Sequence, residues 1–369
     1  MIKNSNRLVS LDIFRGMTVA FMIIVNTPGS WSYVYAPLRH ASWHGCTPTD
    51  LVFPFFLFIV GVSMFFSLKK YGSAINFESV IRILRRTILI FALGLFLTIF
   101  PKFNMDYSSL RIMGVLQRIA LAYGIAALIC LSVRREFLWI VVAIFLFGYW
   151  ALLAFAGGAD PYALATNLPL KVDIAVLGAN HLYQGYGIPF DPEGLLSTIT
   201  SVATVIIGYF IGGMIVSEKQ NGGVIIIKLL LFGAAAVGLG YLWGIWFPIN
   251  KSLWTSSYTL YTAGLGMIVL VFIYFLADVL KFQKWGTFFT ILGTNAIFAY
   301  TLASMWANTM TNIKITTDGN LTLYSWLYQK VFVPLVGNMN GSLLFAICQV
   351  LLVWIITLIL FKKKIFIKL

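Results

Sequence analysis

Apolar stretches of about twenty residues recur along this chain between short polar connections, and nothing else constrains its fold as strongly. A run of roughly 18 or more apolar residues is long enough to cross the hydrocarbon core of a bilayer as a helix. Ten such runs occur, at approximately 8–27, 49–68, 83–101, 112–131, 136–156, 194–216, 223–247, 256–278, 286–309 and 342–361. Hydrophobic residues fill 60% of the 369 positions and charged residues only 10%, whereas a soluble domain carries about a quarter charged. Such a surface must be buried in lipid. There, only helices and closed barrels satisfy the backbone, and the alternating pattern of barrel strands is absent. The expectation is an all-α, polytopic integral membrane helical bundle of about ten transmembrane helices, a single transmembrane domain over residues 1–369.

The net charge of +14 follows the same architecture. Lys3 and Arg7 precede the first run, Lys69, Lys70, Arg82, Arg85 and Arg86 separate the second from the third, and Arg134 and Arg135 separate the fourth from the fifth. Lys219, Lys281, Lys284 and the group Lys362, Lys363, Lys364 and Lys368 continue the alternation. The opposite connections carry Arg39, Lys102, Lys171, Lys251, Lys314 and Lys330. Short loops rich in Lys and Arg stay in the cytoplasm, so both termini are expected there. The positive charge thus reads as membrane topology and argues against nucleic acid as a partner. Asp12 and Arg15 interrupt the first run and no small-residue cleavage site follows, so it is expected to be kept as a span. Cys46, Cys130 and Cys348 are expected as free thiols.

The polar chemistry gathers in the non-cytoplasmic connections. Residues 39–50 hold two of the three histidines, His40 and His44, with Asp50 at the start of the second run. A neutral imidazole is the usual general base near pH 7, and the neighbouring residues offer no metal-ligand spacing. Thr47-Pro48-Thr49-Asp50 reads as a helix start with the acid facing the positive helix end. The same placement lets Asp50 orient a loop imidazole. Asp191-Pro192-Glu193 reads as a second helix start. Asn26, at the outer end of the first run, has the amide needed to stabilise an oxyanion. Asp12 and Arg15 lie one helical turn apart and suit either a mutual ion pair or a cofactor contact. Arg118 has no acid in its own run. Its planar fork suits a phosphate or amide chain, a partner such as Asp12, or a snorkelled position. Asn250-Lys251-Ser252-Leu253-Trp254 suits an anionic or carbohydrate group, or an ordinary interfacial belt.

The ordered set Arg7–Gly16, Asn26, His40–Gly45, Asp50–Pro54, Gly114–Arg118, His181–Gln184, Asp191–Gly194, Pro248–Trp254 and Gly293–Ala296 resembles the heparan-α-glucosaminide N-acetyltransferase family. That resemblance implies an acetyl-CoA-dependent N-acetyltransferase. The acetyl group of cytosolic acetyl-CoA would pass to the amine of a glucosamine-type sugar or glycan terminus on the non-cytoplasmic side. It implies His40 as general base or transient acetyl carrier with Asp50 beside it, and Asn26 is expected to join them as an oxyanion donor through its amide. Together with the residue chemistry above, Arg118, Gln117, Asp12, Arg15 and Asn295 are expected on the acetyl-CoA side, and His181, Asn250, Lys251, Trp254 and Trp43 on the sugar side, with no metal. His44 stands where the animal sequences carry another residue and takes no catalytic role. The resemblance further implies a homodimer and a bacterial-type member in the inner membrane, lacking the extra lumenal segment and first span of the animal enzymes. Two other readings compete: an amino-sugar permease without chemistry, and an acyltransferase acting on a sugar hydroxyl or a lipid-linked glycan.

Overall fold

The computed structural model describes residues 8–69, 75–103, 106–218, 221–315 and 321–367. Its helices are α1 (Val9–Asn26), α2 (Val52–Leu68), α3 (Phe77–Ile99), α4 (Val115–Ser132), α5 (Leu138–Ala156), α6 (Leu168–Leu177), α7 (Thr198–Ser217), α8 (Gly222–Trp243), α9 (Ser256–Tyr274), α10 (Thr287–Thr294), α11 (Ala296–Asn312), α12 (Leu323–Leu327) and α13 (Val333–Lys362). No strand occurs among the described residues. The all-helical expectation holds.

Among the described residues, eight helices are long and apolar enough to cross a membrane, and α10 with α11, bent by 72°, makes up to nine. The bend falls at Asn295, whose backbone leaves helical geometry at φ −126° and ψ 41°. The remaining expected span, α3, has 23 residues, but Glu78, Arg82, Arg85 and Arg86 crowd its first half. Its length would suffice for a bilayer (about 34 Å at 1.5 Å per residue), while its charge keeps it apart from the apolar set.

The helices pair α8 with α9, α2 with α7, α1 with α10 and α3 with α4. Between apolar helices in lipid, close approach of backbones replaces the hydrophobic effect as the source of packing energy, and small residues permit it. A Cβ placed on Gly61 would lie 2.0 Å from the Val205 carbonyl oxygen, and one on Gly208 would lie 2.2 Å from that of Phe58. Glycine is therefore required on both sides of the α2–α7 contact. Helices α1, α4 and α7 are two-thirds buried over their apolar windows, at 67%, while α5 and α8 are at 22% and 17%. The first group forms the centre and the second the lipid-facing periphery. The start of α1 is tied from a distance: Asp278 accepts hydrogen bonds from the Val9 and Ser10 amides at 3.2 and 3.0 Å, supplying partners that a helix N-terminus lacks.

Candidate active site

The segment between α1 and α2 carries the histidines on a loop whose shape is set by one carboxylate. A short 3-10 turn, Pro48–Leu51, leads into α2, with proline at its first position and Asp50 in its first turn. Asp50 Oδ2 accepts from the Thr47 amide, the Thr47 hydroxyl and the Ala41 amide, each at 3.0 Å. Asp50 Oδ1 lies 2.6 Å from His40 Nδ1. The helix-start role and the imidazole-orienting role are therefore both occupied, one by each oxygen. A carboxylate that faces Nδ1 holds the proton there and leaves Nε2 with the lone pair. Asp50 is buried to 1% exposure, while the His40 side chain stays 46% exposed.

Lys251, in the turn between α8 and α9, completes the group. Its Nζ lies 3.7 Å from Asp50 Oδ1 and 3.2 and 3.4 Å from His40 Nδ1 and Nε2. Burial lowers the Lys251 pKa, with Asp50 and Glu193 pulling against it. Asn250 fixes that turn to the histidine loop: its Nδ2 donates to the Trp43 carbonyl at 2.9 Å and lies 3.3 Å from His44 Nδ1. Burial also lowers the His44 pKa and pushes the Cys46 thiol up to about 12, which leaves that thiol protonated and a poor nucleophile.

His40 and Lys251 open onto a mostly apolar cavity of about 620 Å³, whose wall includes Asn26, Phe53, Glu193 and Tyr300. A second cavity of about 970 Å³ carries Arg15, Ser63, Arg86 and Tyr123. Phe56, Leu116, Ile119 and Ile297 line both. The two spaces thus lie back to back across an apolar partition formed by α2, α4 and α11. In the second cavity Arg15 donates to Ser63 Oγ at 2.6 Å and pairs with Asp12 at 3.4 Å. The Arg86 guanidinium lies 4.5 Å from the Tyr123 ring centroid, and its Nε is buried without a partner among the described residues.

Other residues singled out by sequence have different surroundings. Arg118 is fully buried; it donates to the Gly194 carbonyl at 2.9 Å and to Ser197 Oγ, with its guanidinium 5.2 Å from the centroid of Trp254. Trp254 is itself fully buried, edge-on to Phe53 and Tyr258, with φ at +48°. Gln117 is buried against Gly94 of α3. Asn295 accepts from the Ile367 amide at 2.8 Å and donates to the Ile365 carbonyl at 3.1 Å, holding the segment after α13 over the second cavity, where Ile367 is part of the wall. Trp43 donates to the Tyr162 carbonyl and meets Tyr186 and Phe190 edge-on. His181 lies 2.7 Å from the Leu110 carbonyl through Nδ1, and its own carbonyl accepts from the Ile112 amide at 3.2 Å.

That clip presents Arg111, which the sequence reading passes over because it stands at the edge of an apolar run. Arg111 makes two parallel bonds to Asp191, both 2.8 Å, and one to Glu193 at 2.6 Å. Its guanidinium also covers the Tyr183 ring at 4.7 Å, and its pKa is raised by the two acids. The Asp191-Pro192-Glu193 turn does not start a helix, since α7 begins at Thr198. The acids point sideways to Arg111 instead.

The sequence model of the family described as "Heparan-alpha-glucosaminide N-acetyltransferase, catalytic" matches residues 7–175. The Homo sapiens protein named heparan-alpha-glucosaminide N-acetyltransferase is 29% identical over 356 residues, covering 80% of this chain and 52% of the human one. The Mus musculus protein of that name is 28% identical over 357 residues, covering 80% and 53%. The chain spans about half the length of the curated relatives it matches. The resemblance carried by the sequence motifs is borne out. His40, Asp50, Asn26 and Arg118 fall inside the family match, while Glu193 and Lys251 lie beyond its end.

Proposed function

We propose that this chain is a membrane acetyltransferase of the heparan-α-glucosaminide N-acetyltransferase kind, moving an acetyl group from acetyl-CoA to the amine of a glucosamine-type sugar. The observation that carries this reading is the His40–Asp50 pair beside a cavity that shares an apolar wall with a second, cationic cavity. Acetyl-CoA supplies the activated acetyl thioester. Arg15 and Arg86 suit its phosphates, and the unpartnered Arg86 Nε is a buried donor that such an anion would satisfy. The shared apolar wall is where a narrow acyl-bearing arm would have to part the side chains to reach His40. With the basic connections cytoplasmic, the cavity holding Arg15 and Arg86 is the cytosolic one and His40 faces the opposite side.

The chemistry follows from the atoms on the His40 wall. The sugar amine must be neutral to attack the thioester carbon. With its Nδ1 proton directed at Asp50, His40 offers Nε2 to receive the amine proton as the new N–C bond forms. Asp50 balances the charge the imidazole acquires. Asn26 and Lys251, on the same wall, would donate to the oxyanion that forms as the carbonyl becomes tetrahedral. The C–S bond then breaks, and the proton held by His40 is returned to the leaving thiolate.

The test uses protein purified in detergent with radiolabelled acetyl-CoA and glucosamine, wild type beside His40→Ala. Label is expected on the sugar in wild type, with transfer reduced by roughly 10²–10⁴-fold in the variant. Transfer retained by His40→Ala overturns the assignment of the base. Sugar uptake into vesicles without any acetylation would overturn the enzymatic reading in favour of a permease.

A further inference from the structure

Around the outer cavity the charges do not balance. Asp50, Asp191 and Glu193 face two cations, Arg111 and Lys251. Adding Arg118 and Asp173, whose charges also act in this region, contributes one of each sign and leaves the excess unchanged. One negative charge remains. The geometry indicates where it resides. Asp191 is fully enclosed and takes the paired, parallel bonds from Arg111, the arrangement that neutralises a guanidinium most completely. Glu193 receives only a bond from Nη2, which Asp191 already uses. Of these two acids, Glu193 is the one on the wall of the cavity that holds His40.

A purely structural account would need only Asp191. That residue satisfies Arg111 with both oxygens and also accepts from the Glu193 amide at 2.9 Å. Nor does Glu193 serve as a helix cap, since α7 starts five residues later. Its carboxylate is therefore fixed at the cavity by a guanidinium, with capacity to spare. A buried acid with residual charge beside a general base is suited to a cationic ligand.

We infer that Glu193, held in place by Arg111, recognises the ammonium group of the incoming amino sugar and presents it to His40; the ammonium releases one proton to solvent before attack, and His40 takes the second as the N–C bond forms. This rests on the acetyl-transfer reading and deepens it. Glu193 selects for an amine over a hydroxyl at that ring position, because a neutral hydroxyl leaves the cavity's surplus charge uncompensated. Arg111 acts through Glu193 and is a positioning residue, and His181 positions Arg111 in turn by clipping the 110–112 backbone.

Kinetics of purified wild type, Glu193→Gln and Glu193→Asp test this, with glucosamine and acetyl-CoA varied separately. Glu193→Gln keeps the shape and an acceptor for Arg111 but loses the charge. Its KM for glucosamine is expected to rise about tenfold or more, with the KM for acetyl-CoA and the melting temperature close to wild type. Glu193→Asp, which keeps the charge, should fall between the two, and it provides the reading if the glutamine variant does not fold. An unchanged glucosamine KM in both variants, while wild type transfers normally, overturns this inference and leaves the transferase intact. Equal losses in both substrates' KM values also overturn it, because they would mark a structural role. If wild type transfers nothing to glucosamine, the underlying reading of the acceptor fails and takes this inference with it.

Discussion

Asp50 and Asp173 are both buried carboxylates, and the structure treats them in opposite ways. Asp50 receives three donors on Oδ2 and an imidazole on Oδ1, with Lys251 close by. Asp173, on the ten-residue α6, receives one: the Leu195 amide donates to its Oδ1 at 2.9 Å, and its Oδ2 has no partner among the described residues. Burial pushes the Asp173 carboxyl up to about 6, and neither the Leu195 amide nor the Arg118 charge brings it down. The loop around Asp50 is built to hold an ion. The turn around Asp173 uses a carboxylate as an anchor and leaves half of it unsatisfied. Charge in the first region should therefore matter for turnover, and charge in the second for stability.

The largest expected effect tests the first half of that contrast. In Asp50→Asn, one amide oxygen can still serve the three donors of the Ala41–Thr47 loop, but the amide nitrogen then faces His40 Nδ1. The ring must accept there, which moves its proton to Nε2 and removes the base. Transfer should fall by about 10²–10⁴-fold, with a melting temperature within a few degrees of wild type. Single-turnover transfer and thermal unfolding measured on the same preparation check both. Activity within tenfold of wild type would break the contrast.

Asp173→Asn tests the second half. A carboxyl raised to about 6 in the folded protein, against about 3.9 when unfolded, is favoured by the fold in its neutral form. That stabilisation is fully present below about pH 4 and is lost as pH rises through about 6, so ionised Asp173 destabilises the native state at pH 7. The amide keeps the acceptor for Leu195 and carries no charge. The variant should melt higher than wild type at pH 7, by an amount of order 3 kcal/mol, and the gap should close towards pH 4. Unfolding in detergent across pH 4–7.5 measures it, and a gap that does not change with pH would refute the explanation. Transfer at a permissive temperature should stay within about twofold.

The smallest effect separates the two loop histidines. His44 lies 3.3 Å from Asn250 and is not part of the wall shared by His40 and Glu193. Burial lowers its pKa, so it is neutral at pH 7 and His44→Ala removes no charge. Its kcat/KM for transfer should change less than about threefold, since a single side-chain contact of this length contributes little. A loss approaching that of the Asp50 variant would mean that the base had been assigned to the wrong ring.

Much of the fold was legible because its signals are local. Runs long enough to span a bilayer marked most of the helices, and Thr47-Pro48-Thr49-Asp50 marked the entry to α2. The expected ten and the eight or nine apolar helices among the described residues differ where that signal mixes with charge. Arg82, Arg85 and Arg86 fall inside α3 although the apolar run begins at 83. The run expected at 286–309 is broken at Asn295, a bend that depends on what the side chain holds and not on hydropathy. At the site, His40 and Asp50 could be paired by sequence because ten residues of loop separate them. Arg111 was missed, and Glu193 was assigned to a cap. Their bond spans 82 positions, and an arginine at the edge of an apolar run looks like an interfacial anchor until its partner is seen. Arg118, expected on the acetyl-CoA side, and Trp254, expected on the sugar side, are buried against each other, a packing that residue type alone does not foretell.

By itself the sequence determined that the chain is a membrane-type helical bundle and that its histidine chemistry lies between α1 and α2. Apolar length measured against bilayer thickness, together with short-range loop chemistry, is sufficient for both. Only the tertiary structure decided which polar groups meet. Lys251 reaches His40 across 211 positions and Arg111 reaches Glu193 across 82. The apolar wall between the two cavities exists because α2, α4 and α11 each turn particular side chains into it. Those contacts depend on helix rotation and close approach, set by glycines such as Gly61 and Gly208, and no local pattern encodes which faces will oppose one another.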